Sequence, residues 1–198
     1  QYGPLQYGQP VLEASPSACN STLASSAYAE AKRAQETLAA LYAERYGMEV
    51  VLTRCFAFSG PGIALDAHFA IGNFVRDALW NDELVLQSSG QAVRSYLHGA
   101  DLAVWLLTLL VRGEAGQAYN VGSDKALSIA ELAHTVMART APEKSVRVLG
   151  QNGDPRTQSY YVPDIRKARD LGLDDWTSLG ESIDSMVRWV CEHQRCTH

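Results

Sequence analysis

Tyr28-Ala29-Glu30-Ala31-Lys32, followed after a glycine by Val50-Val51-Leu52-Thr53-Arg54-Cys55, is the stretch that decides the fold. Ala31, Ala34, Leu38, Leu41 and Tyr42 recur at steps of three and four, which predicts a helix with one apolar face. Ser25 or Ser26 can cap its start and Gly47 can end it. Tyr28 and Lys32 lie one turn apart on this helix, so a phenol and an ammonium point the same way, about 6 Å apart along the axis. A cation beside a phenol favours phenolate, and such a tyrosine can exchange a proton with a hydroxyl or carbonyl. A solvated lysine beside a half-buried tyrosine would have the same spacing, so the pair needs support from the rest of the chain.

That support follows in order. Val50–Cys55 reads as a buried parallel strand, with Cys55 as a small core residue. Phe56-Ala57-Phe58-Ser59-Gly60-Pro61-Gly62 is a loop rich in turn residues. Then come an N-F-x-x-x-A-L helix at Asn73–Leu79, Val93-Arg94-Ser95-Tyr96-Leu97-His98-Gly99-Ala100-Asp101-Leu102, and Tyr119-Asn120-Val121-Gly122-Ser123. Asp154-Pro155-Arg156 and Pro163-Asp164-Ile165 complete the series.

Taken together, these landmarks resemble the extended short-chain dehydrogenase/reductase family, and within it the NAD-dependent nucleotide-sugar epimerase/dehydratase branch. The resemblance implies an α/β fold: the C-terminal part of a Rossmann-like doubly wound domain plus a smaller α/β substrate-binding domain. Residues 1–62 would end the NAD-binding domain. Residues 63–198 would be mainly substrate-binding, with Arg94–Val121 returning in part to the Rossmann-like domain.

The resemblance also implies roles. Tyr28 would be the acid/base and Lys32 its helper, both touching NAD (or NADP), with Cys55 and Phe56 beside the nicotinamide. Arg94 would hold the diphosphate of a nucleotide-diphosphate sugar, with Tyr96 nearby. Arg156 would approach the same diphosphate from the opposite side, and Asn73 would reach the nucleotide. A homodimer through the Tyr28 helix is implied as well. Many relatives carry asparagine where Ala57 stands, which leaves the nucleotide open. Epimerase, dehydratase, decarboxylase and ketoreductase share this half of the chain.

No G-x-x-G-x-x-G turn follows a strand in these 198 residues, so the usual pyrophosphate cradle is missing. Tyr2-Gly3 matches the Tyr-Gly that relatives carry just after their catalytic Ser or Thr, which would then precede Gln1. The expectation is therefore the C-terminal portion of a longer enzyme, inactive alone. A sugar-nucleotide-binding module without catalysis, or a dimerisation module, are the alternatives.

Composition narrows the partners. Seventeen Lys and Arg against 22 Asp and Glu give a net charge of −5, with no basic stripe for nucleic acid. Leu102–Val111 is too short to span a bilayer and reads as a buried helix. The four cysteines form no disulfide framework, which suits a cytoplasmic setting. No metal site is expected: Cys191, His193, Cys196 and His198 lack a closed zinc spacing.

The remaining pattern is local. Ala67–Trp80 reads as a helix, Glu83–Gln87 and Val93–Leu97 as strands, Ala118–Val121 and Val146–Leu149 as further strands. Asp101 suits the first turn of the apolar helix. Ser128–Glu131 and Ser178–Glu181 are capping boxes that open helices, and Asp164–Leu171 is a short helix stopped by Gly172.

Overall fold

The structure, a computed structural model, describes residues 8–15, 19–151 and 159–193. It is an α/β chain in which short parallel strand pairs alternate with helices. Strand β1 (Leu52–Cys55) pairs in parallel with β6 (Ala118–Val121), so that Leu52 faces Ala118 and Cys55 faces Val121. β2 (Phe58–Ser59) pairs with β5 (Leu97–His98), and β3 (Glu83–Leu86) with β8 (Ser145–Val148), also in parallel. β4 (Val93–Arg94) lies between β7 (Leu127–Ser128), antiparallel, and β9 (Tyr160–Tyr161), parallel.

Among the described residues two larger apolar cores result, beside a small cluster of Val11 and Phe56 with Tyr161 packed against it. One gathers Ile71, Phe74 and Val75 from α2 (Ala70–Trp80), Leu84 and Leu86 from β3, Leu132 and Val136 from α4 (Ile129–Thr140), and Ile183 and Met186 from α6 (Leu179–His193). The other gathers Leu97 from β5, Trp105 and Leu109 from α3 (Gly99–Arg112), Tyr119 and Val121 from β6, and Ile165, Ala168 and Leu173 around α5 (Arg166–Arg169). The stretch from Ile165 to Leu173 thus packs beside β6, although it follows the substrate-side elements in sequence.

Local signals hold where they depend on neighbours in sequence. Both capping boxes form: Ser128 Oγ accepts from Glu131 N and Ser178 Oγ from Glu181 N, while each glutamate accepts from its serine's backbone N–H. Gly47 ends α1 (Ala27–Tyr46) with φ of 64° and Gly172 turns the chain with φ of 83°, backbone states that glycine reaches without strain. At the start of α1, by contrast, a 3-10 turn over Ala24–Ser26 leaves Ser26 with helical dihedrals, so neither serine forms the expected side-chain cap.

Other expectations change with tertiary context. Val93–Leu97 is two strands in two sheets, because Ser95 and Tyr96 carry the chain from one to the other. α2 begins three residues later than the pattern predicts, after an extended Phe69. Cys55 is exposed rather than in the core, since the alternation of β1 turns Thr53 and Cys55 outward. The α3 run is not wholly buried: Trp105 and Leu109 face inward, but Leu107, Leu110 and Val111 are 65%, 78% and 81% exposed. A single helix face rests on the core, so the opposite face remains open however apolar it is. Asp101 is buried, and its carboxylate accepts from Thr177 N at 2.8 Å and Thr177 Oγ1 at 3.0 Å, which anchors the approach to α6. Asp101 lies in the first turn of α3 as expected, and His98 caps that helix, its Nδ1 accepting from Ala100 N at 3.1 Å.

Candidate active site

Two adjoining clefts gather most of the predicted residues. The first, about 430 Å³, opens between α1 and β1 and is lined by Tyr28, Lys32, Glu36, Thr53, Cys55 and Tyr161 among others. Here the helical spacing delivers what it promised: Lys32 Nζ lies 5.9 Å from the centroid of the Tyr28 ring. Lys32 also donates to Gln35 Oε1 at 3.4 Å. Tyr28 is 72% exposed, so its phenol is open to a ligand entering the cleft. Cys55 keeps an exposed side, yet the protein around its sulfur raises the thiol pKa by desolvation, which outweighs the Thr53 hydrogen bond and the Lys32 charge. Its role here is that of a neutral neighbour.

The second cleft, about 570 Å³, is lined by Phe56, Ala57, Phe69, Arg94, Tyr96 and Tyr161 among others. Strand β4 aims Arg94 into it. The guanidinium donates from Nη1 to the carbonyls of Val93, at 2.7 Å, and Ser159, at 3.1 Å, and lies 5.9 Å from the Tyr161 ring. Among the described residues Arg94 makes no carboxylate ion pair. Burial weakens its preference for the charged form, with Tyr96 and Tyr161 acting the other way. Among the described residues this half-buried cation is met by two carbonyl oxygens and the Tyr161 ring, which leaves donors for an anion, and its fork suits phosphate oxygens. Tyr96 sits beside it; burial pushes its phenol up to about 12 despite the Arg94 charge, so it is a neutral hydrogen-bonding group.

Tyr161 borders both clefts and stacks on Phe56 with ring centroids 4.4 Å apart. Phe56 is buried and faces the second cleft, while Cys55, its neighbour in sequence, faces the first. Asn73 is not brought to either cleft: it lies on α2, where its Oδ1 accepts from Arg76 Nη1 at 3.4 Å. Arg156 lies outside the described residues.

The profile of the NAD dependent epimerase/dehydratase family matches residues 1–122. The chain belongs to this family. Among curated relatives it is 30% identical over 186 residues to UDP-glucuronic acid decarboxylase 3 of Arabidopsis thaliana, covering 91% of this chain and 53% of the relative. It is 27% identical over 172 residues to UDP-glucuronic acid decarboxylase 1 of Xenopus tropicalis, covering 84% of this chain and 40% of that protein. The chain thus spans about half the length of the curated relatives it matches. Among solved structures, the dTDP-glucose 4,6-dehydratase DesIV of Streptomyces venezuelae, with NAD bound, superposes with a TM-score of 0.78 at 28% identity, covering 98% of this chain and 57% of that one. The UDP-glucose 4-epimerase of Thermotoga maritima reaches 0.80 over 98% of this chain and 62% of that one; its 20% identity speaks for the fold alone.

In the lining of these two clefts, sequence reasoning missed Tyr161, His68 and Phe69 as site residues. His68 and Phe69, with rings 4.5 Å apart, line the Arg94 cleft just before α2. The one available signal was the Tyr160–Tyr161 aromatic pair inside an otherwise polar stretch. Among the described residues no group of His, Cys, Asp and Glu could hold a metal ion, and no helix is long and apolar enough to cross a membrane.

Proposed function

We propose that this chain carries the acid–base pair and the substrate cleft of an enzyme that modifies the sugar of a nucleotide-diphosphate sugar, in epimerase, dehydratase or ketoreductase fashion. The observation that carries this reading is the position of Arg94. It is a half-buried cation without a carboxylate partner among the described residues, in a cleft that shares Tyr161 with the Tyr28–Lys32 cleft. A diphosphate on Arg94 would direct the attached sugar toward Tyr28, and Tyr96 would add a phenol hydrogen bond from the same strand segment.

The residues of the first cleft fit the nicotinamide–ribose end of NAD. Lys32 offers ammonium donors for ribose hydroxyls, Tyr28 is open, and the Glu36 carboxylate is taken up by Arg54, so it does not repel the ligand. When bound, NAD supplies a hydride acceptor or donor for a sugar carbon. The chain's own part is proton transfer. Tyr28 takes the proton of the sugar hydroxyl as the carbonyl forms, or returns it as the hydroxyl is restored. Lys32 supplies the neighbouring positive charge and orients the ribose. Cys55 and Phe56 stand beside the ring site, and Arg94 and Tyr96 hold the substrate.

In this reading residues 1–62 form the end of the cofactor domain and 63–198 mainly the substrate domain, with Arg94–Val121 shared. The two larger apolar cores among the described residues support that division in part, since Ile165–Leu173 packs with the Leu97–Val121 core although it follows the substrate-side elements. We assign α1 to a homodimer contact as well: it buries none of its residues, and Leu38, Leu41, Tyr42 and Tyr46 all stand more than half exposed on it.

The test is turnover. Protein expressed from its complete reading frame, supplied with NAD, is incubated with UDP- and dTDP-hexoses, and the sugar carbons are followed by NMR. A changed sugar in the wild type and none in Tyr28→Phe is the expected result. Wild-type protein that binds these sugars but changes none of them sinks the catalytic reading.

A further inference from the structure

Helix α1 presents Tyr28 and Lys32 to the first cleft, yet it has no buried residue to fix its position. The structure shows a different anchor. Arg54, at the centre of β1, reaches to Glu36: Nε donates to Oε1 at 2.8 Å and Nη2 to Oε2 at 2.9 Å. The pair is well shielded, with side chains only 14% and 22% exposed. Arg54 Nη1 donates to the carbonyl of Glu13 at 2.7 Å, and the Glu13 carboxylate accepts from Asn120 N at 2.9 Å. A continuous polar chain therefore runs from α1 through β1 to β6.

Glu36 lies four residues beyond Lys32 and eight beyond Tyr28, so all three share the helix face that lines the cleft. A guanidinium fork engaging both carboxylate oxygens fixes rotation as well as distance, which a single contact cannot do. A shielded ion pair of this kind adds little net stability, because desolvation offsets its attraction. Its larger consequence is geometric. Both Glu36 oxygens are engaged, so this carboxylate is not a free base for the chemistry.

We propose that Glu36 and Arg54 are positioning residues: their forked ion pair sets the seat of α1 over β1 and thereby the place of Tyr28 and Lys32. The effect on turnover rests on the proposed acid–base role of Tyr28. The effect on the seat of the helix does not.

Cys55 provides a readout free of activity, because it lines the cleft together with α1 residues and the protein around its sulfur partly desolvates it. One single-thiol protein keeps Cys55, with Cys19, Cys191 and Cys196 changed to serine. A second keeps only Cys191, on α6 and remote from α1 in sequence. Reaction with a disulfide reagent is measured across pH and compared as thiolate rate constants. In Glu36→Gln the Cys55 rate should rise roughly tenfold as α1 loosens locally, while the Cys191 rate stays constant. Exchanging the charges, Glu36→Arg with Arg54→Glu, should bring the Cys55 rate back toward wild type. In protein from the complete reading frame, Glu36→Gln should lower kcat about a hundredfold and leave KM for the sugar nucleotide within a factor of about three. An unchanged Cys55 rate, or equal rises at Cys55 and Cys191, overturns the proposal. If the wild type never turns over, the acid–base reading falls, and the Cys55 rates still decide whether the clasp seats the helix.

Discussion

Phe56 and Tyr161 stack with ring centroids 4.4 Å apart, and through this pair the last short strand of the described chain becomes the wall between two clefts. Strand β9 holds Tyr161 opposite Arg94 in parallel register, so the same ring also lies under the guanidinium. Removing the ring should therefore disturb both clefts at once. Tyr161→Ala is expected to lose about 0.5–1.5 kcal/mol of stacking beyond the lost burial, and Tyr161→Phe should keep most of it. Urea unfolding of the two variants measures this. Equal losses in both would place the contribution in the hydroxyl rather than the ring.

Tyr28→Phe removes the group that carries the proton in the proposed reaction and keeps the ring beside Lys32. Turnover should drop by about two to four orders of magnitude, with sugar-nucleotide affinity little changed. Steady-state kinetics and a binding titration on protein from the complete reading frame separate the two quantities. Near wild-type kcat would remove Tyr28 from the chemistry.

Arg94→Ala should weaken sugar-nucleotide binding roughly ten- to a hundredfold, the scale of one charge-assisted hydrogen bond of about 1.5–3 kcal/mol. Arg94→Lys should recover only part, because a point charge does not reproduce the fork. NAD affinity should hold, since Arg94 lies in the second cleft and not in the first. Parallel calorimetric titrations with both ligands check this; equal losses would indicate damaged folding.

Stability should fall in acid. Asp184 and Asp174 are held below the usual carboxylate range by hydrogen bonds from Arg139 and Arg169, and Glu131 and Glu181 by bonds from the backbone and hydroxyl of Ser128 and Ser178. A depressed folded-state pKa means the unfolded chain takes up protons first as pH falls. The stabilisation is therefore complete above about pH 5 and is lost progressively below about pH 4. Melting temperature should be level from pH 5 to 7 and decline below 4. A rise in melting temperature on acidification contradicts these assignments.

If α1 pairs with a second copy, a charge at its centre should break the pair. Leu41→Glu and Tyr42→Glu substitute residues that are each 54% exposed, so the fold of the single chain should tolerate them. Light scattering should then report half the wild-type mass. Unchanged mass in both variants removes α1 from the interface.

The sequence alone determined most of the elements and some of their ends. The capping boxes at Ser128 and Ser178 and the left-handed Gly47 follow from residues within four positions of each other, where backbone hydrogen bonding is decided locally. It also brought Tyr28 and Lys32 together, because helical geometry alone places residues four apart on one face. Only the tertiary structure decided what those elements meet. Val93–Leu97 looks continuous in sequence but serves two sheets, and β1 looks buried but turns Cys55 into an open cleft. Asp101, expected to serve its own helix, binds Thr177, and Arg54 reaches Glu36 across 18 positions. Tyr161 became part of the site because β9 pairs with β4, 67 residues earlier at the Arg94 register. Such contacts depend on sheet pairing and shared burial between distant segments, and no local period encodes them.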